Sequence, residues 1–173
     1  MKNKNWRFIY MLIRNAYKFP YALGKMKKGT QKYSENPCKE QEDANYDFIK
    51  NHLIKHMSRT SHVKTIGYGM ENLPKEGGYM MYPNHEGKWD MYGLISVHER
   101  PCSFIMDVEM SNMLLIKQIV DILRGKRLSK TDNRQAVQII NEVTKEVEDG
   151  RIFVLFPEGE YTHEKKNTLF EFK

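Results

Sequence analysis

The sequence predicts an α/β fold in which a mixed, largely parallel sheet is flanked by helices and preceded by an N-terminal amphipathic helical segment. Beyond residue 44, short apolar runs that suit strands alternate with segments of helical period, as in parallel sheets with crossover helices. The run at 152–156 is apolar throughout, as expected of a strand buried on both faces. A chain of 173 residues has room for one such domain.

The composition excludes several classes of protein. With 40% hydrophobic residues, 11 Gly and 6 Pro, the chain is neither disordered nor collagenous. Its two cysteines, Cys38 and Cys102, lie far apart without a C-x-x-C pattern, so the sequence predicts neither a disulfide framework nor a structural zinc site. Reduced thiols in a cytosolic setting are expected.

Positive charge is concentrated at the N-terminus. Residues 1–28 contain eight of the 28 Lys and Arg residues and no acid, which leaves 20 cations against 22 acids in the rest of the chain. A nucleic-acid-binding domain usually spreads its cations over a folded face, so no nucleic-acid partner is predicted.

The basic N-terminal segment is predicted to be an amphipathic helix. Arg7, Arg14, Lys18 and Lys25 fall within about 40° of one another on a helix, and apolar or aromatic residues occupy most of the remaining circumference. The cations interrupt the apolar run, which is far shorter than the ~20 residues of a membrane span. The pattern predicts that residues 1–28 lie in a membrane surface, as a peripheral or monotopic anchor on the cytoplasmic face. The alternative is a helix that packs on the protein's own body or on a partner.

The limits of this segment follow from two features. Pro20 is expected to break or kink the helix near Phe19, so two short helices around a bend fit the sequence as well as one long helix. Residues 29–43 are polar and turn-rich, which predicts a linker or exposed loop before a domain at 44–173.

The domain begins with a predicted helix at 44–57, where apolar residues recur with the helical period. His52 and His56 have the i, i+4 spacing of a metal-binding pair, but they lack the Glu of an H-E-x-x-H motif and are expected to be exposed histidines. The elements predicted after this helix are strands at 63–68, 79–82, 102–106 and 152–156 and helices at 89–97, 112–123 and 133–149, the last ended by Gly150.

Ionisable residues follow two of the predicted strands, in loops at 83–90 and 157–160. In open α/β sheets, functional groups gather beyond the carboxyl ends of the strands. If His85 lies in the first loop and Gly87 allows a tight turn, Asp90 stands in the first turn of the next helix and points back at the imidazole. A carboxylate there would accept the Nδ1 proton and leave Nε2 as a base. The alternative is a loop histidine that is hydrogen-bonded for structure alone.

No protein nucleophile accompanies this pair of residues. The sequence has no G-x-S-x-G motif, and Cys102 falls inside a predicted strand. The substrate is therefore expected to bring its own hydroxyl group.

Two short motifs, one at 84–90 and one at 156–159, resemble in sequence and in order the motifs of a known family. The run N-H-E-G-K-W-D at 84–90 resembles the N-H-x-x-x-x-D block of the glycerolipid acyltransferases, and F-P-E-G at 156–159 resembles their F-P-E-G block. The flanking runs at 67–74 and 127–135 are similar to that family's lead-in and phosphate-binding blocks. The chain looks most like a 1-acylglycerol-3-phosphate (lysophosphatidate) acyltransferase, and the likeness covers roughly residues 60–173.

The resemblance implies a reaction and two catalytic residues. His85 would be the general base and Asp90 its orienting partner, in a reaction that moves a fatty acyl group to the free hydroxyl of a lysophospholipid and gives phosphatidic acid. The donor would be the thioester of acyl-CoA or acyl-carrier protein, used as a co-substrate, and no acyl-enzyme and no cofactor would be needed.

The resemblance also implies which residues bind substrate. Glu158 and Gly159 would help to position the acceptor. Lys130 occupies the place of an arginine that holds phosphate in the family, and Arg127 and Arg134 lie close enough in sequence to share that phosphate. A lysine offers a point charge where arginine offers a bidentate fork, so the geometry of the phosphate contact is expected to differ.

Several positions depart from the family's pattern. Residues 160–162 read E-Y-T where the family often has Thr-Arg-Ser, and Asp107 lies where a lysine is common. The chain ends at Lys173, where relatives continue, so a domain truncated at its C-terminus is expected.

Two alternatives to an active acyltransferase stay open. The first is a catalytically inactive, membrane-associated remnant of the family. The second is a metallohydrolase that uses His85, Asp90 and Glu158 as ligands. One histidine and two carboxylates are a thin ligand set for zinc, so no metal is expected.

Overall fold

The computed structural model describes residues 5–159 and contains one four-stranded sheet, with the strand order β1-β4-β2-β3. All three strand pairings are parallel. The strands are β1 Tyr79–Met81, β2 Cys102–Asp107, β3 Lys126–Leu128 and β4 Ile152–Leu155. The predicted α/β fold is confirmed, and the described part of the sheet is entirely parallel.

Helices precede the sheet and connect its strands. Two of the junctions are themselves helical: a 3-10 turn at Ala16–Lys18 joins α1 to α2, and a π-helical segment at Phe48–Ile54 joins α3 to α4. The α-helices are α1 Asn5–Asn15, α2 Phe19–Glu35, α3 Lys39–Asp47, α4 Lys55–Ser61, α5 Asp90–Val97, α6 Val108–Ser111, α7 Ile116–Ile122 and α8 Asn133–Glu148.

The strand β4 lies between β1 and β2 and is buried on both faces, as its apolar run predicts. Ile152 and Val154 pack into the larger core, which the N-terminal helices, α5 and α7 share. Phe153 packs on the opposite face with Ile105 of β2 and Val143 of α8. The sheet therefore lies between α8 and the helices that share the larger core.

The N-terminal segment forms two helices around a bend, one of the two arrangements that the sequence allows. Pro20 lies in the first turn of α2, where a missing N–H removes no intrahelical hydrogen bond. The inner side of α1 packs on the body through Phe8 and Met11, whereas Ile13 and Tyr17 are 70% and 74% exposed. Within residues 5–159, no helix combines the length and the hydropathy that crossing a bilayer requires.

The predicted linker at 29–43 is wrong as local structure, because α2 continues to Glu35 and α3 starts at Lys39. Gly29 is buried, and the Nδ2 group of Asn45 donates a hydrogen bond to its carbonyl at 3.4 Å. Most polar residues of these helices are exposed or half-buried, while Asn45 is buried and Met26 and Tyr46 reach the core. Tertiary packing thus outweighs the local polar composition.

Two predictions at the margins of the sheet also differ from the structure. Residues 63–68 form no strand; Ile66 and Tyr68 are exposed there, and none of the four described strands pairs with them. The helix predicted at 112–123 starts only at Ile116, after Leu115, whose φ of 73° lies in the left-handed region. The predicted helix at 44–57 is part of a longer continuous helical stretch from Lys39 to Ser61.

Candidate active site

The carboxyl ends of all four parallel strands lie along one edge of the sheet. The loop after β1 leads to His85, and the loop after β4 contains Glu158. Because β1 and β4 are neighbours, the two loops meet at this edge, which is where the sequence predicts the site.

His85 and Asp90 form the predicted pair. The Nδ1 atom of His85 lies 2.8 Å from Oδ2 of Asp90, and both side chains are largely buried. Asp90 is the first residue of α5, so its carboxylate lies beside the loop that carries His85. The same oxygen accepts hydrogen bonds from the backbone N–H groups of Glu86 at 2.6 Å and Gly87 at 2.9 Å.

The charge state of Asp90 decides the tautomer of His85. Burial alone would raise the pKa of the Asp90 carboxyl, but the hydrogen bonds from His85, Gly87 and Glu86 outweigh burial and hold this pKa below its usual value. Asp90 is therefore ionised at neutral pH and can only accept hydrogen bonds, so Nδ1 of His85 carries the proton. In the neutral imidazole, the basic lone pair is then on Nε2.

The turn after β4 contacts the His85 loop at two points. The rings of His85 and Phe156 stack with centroids 4.4 Å apart, and Oε2 of Glu158 accepts a hydrogen bond from the backbone N–H of His85 at 3.3 Å. Gly159 has a φ of 67°, and its N–H donates to the Phe156 carbonyl at 3.1 Å, which closes the turn. Glu158 therefore holds the backbone of His85, and the left-handed conformation favours glycine at position 159.

The three predicted phosphate ligands lie on β3, in the loop after it and on α8. Lys130 follows β3 at the same edge of the sheet, and its Nζ is 3.9 Å from Oδ2 of Asp107 at the end of β2. Arg127 lies on β3 itself and donates a hydrogen bond to Asp121 of α7 at 2.6 Å. Arg134 is exposed in the first turn of α8. No contact between described residues joins these three cations to His85.

Sequence reasoning misses an aromatic contact beside the site. The ring of Phe8 on α1 lies 5.5 Å from Trp89 and 6.3 Å from Tyr92, and Nζ of Lys88 lies 5.6 Å from the centre of the Phe8 ring. Trp89 immediately precedes Asp90, so the N-terminal helix packs against the segment that carries the pair. Nothing in the spacing of residues 8 and 89 predicts this contact, because it depends on the tertiary fold.

The histidine pair on the N-terminal side of the domain lies elsewhere. His52 is exposed and stacks on Phe48, and Nδ1 of His56 lies 3.5 Å from Nζ of Lys18. Among residues 5–159, no group of three His, Cys, Asp or Glu side chains is arranged to hold a metal ion.

Comparison with known proteins identifies the family. The family model described as Acyltransferase matches residues 64–173, which is more than half of the chain and includes both the His85 loop and the Glu158 turn. Neither the curated proteins nor the solved structures contain a match. The chain belongs to the acyltransferase family, which includes the glycerolipid acyltransferases that its two motifs resemble.

Proposed function

We propose that this protein is a 1-acylglycerol-3-phosphate O-acyltransferase in which His85 is the general base. Its acceptor is the lysophospholipid, its donor is acyl-CoA or acyl-carrier protein, and its product is phosphatidic acid. The observation that carries the proposal is the 2.8 Å contact between Nδ1 of His85 and Oδ2 of Asp90, in a chain of the acyltransferase family.

The chemistry follows from the tautomer of His85. Nε2 takes the proton of the acceptor hydroxyl while the hydroxyl oxygen attacks the thioester carbonyl, and a C–O bond forms as the C–S bond breaks. The departing thiolate then takes the proton from the imidazolium, so His85 returns to its starting state. Asp90 stabilises the transient imidazolium, because its carboxylate stays ionised beside Nδ1.

The proposed binding residues belong to two segments of the chain, the turn after β4 and the segment from β3 to α8. Glu158 and Gly159 form the turn against His85, so they are suited to position the acceptor hydroxyl. Lys130 lies at the end of β3 and supplies positive charge for the phosphate, with Arg127 and Arg134 as further cations of the same chain segment. Residues 1–28 bring the enzyme to the cytoplasmic face of a membrane, where lysophospholipid and product reside.

The test is an acyl-transfer assay with labelled acyl-CoA or acyl-carrier protein against lysophosphatidate, other lysolipids and glycerol 3-phosphate. His85→Ala should lower the rate by about 10²-fold or more, because a general base typically contributes this much. His62→Asn changes an exposed histidine in the left-handed region, where asparagine is tolerated, and serves as the control. A folded His85→Ala variant with the parent's rate would show that His85 is not the base, and no transfer to lysophosphatidate by the parent would remove the proposed acceptor.

A further inference from the structure

A second cavity lies away from the sheet edge, between the bend that joins α1 to α2 and the helical stretch from α3 to α4. Its volume is about 540 Å³, within the range of small-molecule sites. Tyr17 and Phe19 of the bend and Phe48 and Leu53 of the π-helical segment line its apolar walls. Single π-helical turns are rare and often occur at functional sites.

The charged side chains that line this cavity are all basic. Lys18, Lys55 and Arg59 contribute three permanent positive charges, and the two histidines of the helical stretch lie among them. No Asp or Glu is present among the described lining residues, although Asp47 lies 3.9 Å from His52. Cations collected against an apolar wall repel one another, so an anion would relieve this repulsion.

Two of the lining groups, Lys18 and His56, form a pair of donors. Nζ of Lys18 lies 3.5 Å from Nδ1 of His56. Because an ammonium group has no acceptor, Nδ1 must accept from it, and neutral His56 then carries its proton on Nε2. Burial, then the charges of Lys18 and Arg59, lower the pKa of His56, which keeps the ring in this neutral form. The Lys18 ammonium and the His56 Nε2–H are both donors, as a phosphate requires.

One buried polar atom of the cavity lining has no hydrogen-bond partner among the described residues. Asn15 lines the cavity and is only 2% exposed. Its Nδ2 group donates to the Met11 carbonyl at 2.6 Å and to Oγ1 of Thr60 at 2.7 Å, but its Oδ1 has no hydrogen-bond partner in the described chain. Buried acceptors of this kind are uncommon in native structures and call for a donor, which an ionised phosphate lacks, so an anion in the cavity would contact the cations and not Asn15.

We propose that this cavity binds an anionic phospholipid, with the phosphate against Lys18, His56 and Arg59 and the apolar part of the lipid against Tyr17 and Phe48. The cavity joins a basic rim to aromatic walls, and a phosphate joined to an acyl chain has the matching two-part chemistry. This site is separate from the His85 edge and does not depend on the acyl-transfer chemistry proposed there.

The proposal is tested by calorimetric titration of the full chain with dihexanoyl phosphatidylglycerol below its micelle concentration. The matched probes are dihexanoyl phosphatidylcholine, which has the same chains without net charge, and inorganic phosphate, which has the charge without chains. We expect the anionic lipid to bind about tenfold or more tightly than either probe. Equal binding of inorganic phosphate, or no binding of the anionic lipid, would overturn the proposal.

Variants then assign the binding to this cavity. The double variant Lys18→Gln, Arg59→Gln should raise the dissociation constant of the anionic lipid about tenfold or more, since two charge-assisted contacts are lost. The double variant Lys64→Gln, Lys145→Gln makes the same change in net charge at exposed positions outside the cavity and should bind as the parent does. Equal weakening in both variants would show unspecific charge attraction and overturn the assignment.

Lys130→Gln separates this site from the active site. Binding should be unchanged in that variant if the cavity holds the lipid. Lost binding would place the probe at the acceptor site of the sheet edge and refute a second site, without bearing on whether His85 is the base. Circular dichroism melts check that each variant is folded.

Discussion

Oδ2 of Asp90 accepts three hydrogen bonds at once, and one of them comes from Nδ1 of His85 at 2.8 Å. The other two come from the backbone N–H groups of Glu86 and Gly87, within the loop that carries His85. One carboxylate oxygen therefore shapes the loop and orients the imidazole. The loop does not depend on the conformational freedom of Gly87, whose φ is not in the left-handed region and whose Cβ position is open.

Asp90→Asn separates these two roles. The amide oxygen can still accept from the loop N–H groups, so we expect the loop to keep its conformation, while stability at neutral pH falls by the contribution of the charge alone. The charge that stabilises the imidazolium is lost, so acyl transfer should fall by about 10²-fold or more. Steady-state assays beside Asp47→Asn, an exposed aspartate, measure the effect, and a parent-like rate in Asp90→Asn would leave the carboxylate without a catalytic role.

The lowered pKa of Asp90 predicts how stability depends on pH. Because the folded state lowers this pKa below the unfolded value, the unfolded chain binds more protons as the pH falls. The contribution of Asp90 to stability is therefore present above about pH 4 and is lost as the pH falls through the folded pKa. Urea midpoints measured from pH 6 to pH 2.5 should show the gap between the parent and Asp90→Asn shrinking in acid; a gap that widens in acid would contradict the sign.

The elements that the sequence predicts correctly are those whose local pattern and tertiary burial agree. The apolar run of β4 and the helical period of α8 give the same answer locally and in the folded protein. The strand β3 could not be predicted, because two of its three residues are Lys126 and Arg127. Their charges are tolerated since Lys126 pairs with Glu146 at 2.7 Å and Arg127 pairs with Asp121 at 2.6 Å.

Parts of the candidate site are likewise predicted by local sequence, while other parts depend on the tertiary fold. The spacing of His85 and Asp90 and the turn at Glu158 are contained in short motifs, so the sequence predicts their meeting at one edge of the sheet. The contact of Phe8 with Trp89 joins positions that are far apart in the chain, and it forms because both rings pack against the same core. Such contacts depend on how helices pack, which local patterns do not encode.

The side-chain contacts of Arg151, which precedes β4, indicate that its replacement would strongly destabilise the fold. Its side chain is 11% exposed and donates to Glu42 of α3 at 3.0 Å, to Glu146 of α8 and to Ser103 of β2 at 2.6 Å. Arg151→Met removes one cation from Glu42 and Glu146, which keep Arg124 and Lys126, and takes a donor from Ser103, so we expect the free energy of unfolding to fall by ~2 to 3 kcal/mol.

Lys117→Met is the control for Arg151→Met. It removes an exposed pair with Asp121, which lies 3.4 Å from Lys117, and should cost less than ~1 kcal/mol. Chemical denaturation of both variants measures the difference. Equal effects would mean that the buried network does not hold α3 against the sheet.

The exposed face of the N-terminal helices predicts salt-dependent binding to anionic vesicles. Trp6 and Ile13 of α1 are 64% and 70% exposed, and Arg14 follows Ile13 with its guanidinium 3.4 Å from the hydroxyl of Tyr10. Anionic headgroups attract the cation while the apolar side chains enter the interface, so added salt and Arg14→Glu should each weaken co-sedimentation. Ile13→Asp should weaken co-sedimentation at any salt concentration, because it removes apolar contact.

Lys145→Glu is the control: it makes the same charge change as Arg14→Glu, but on α8, and this variant should bind as the parent does. Binding that ignores salt, Arg14→Glu and Ile13→Asp alike would contradict the prediction, since neither headgroup attraction to this face nor its apolar insertion would then be holding the chain to the vesicle.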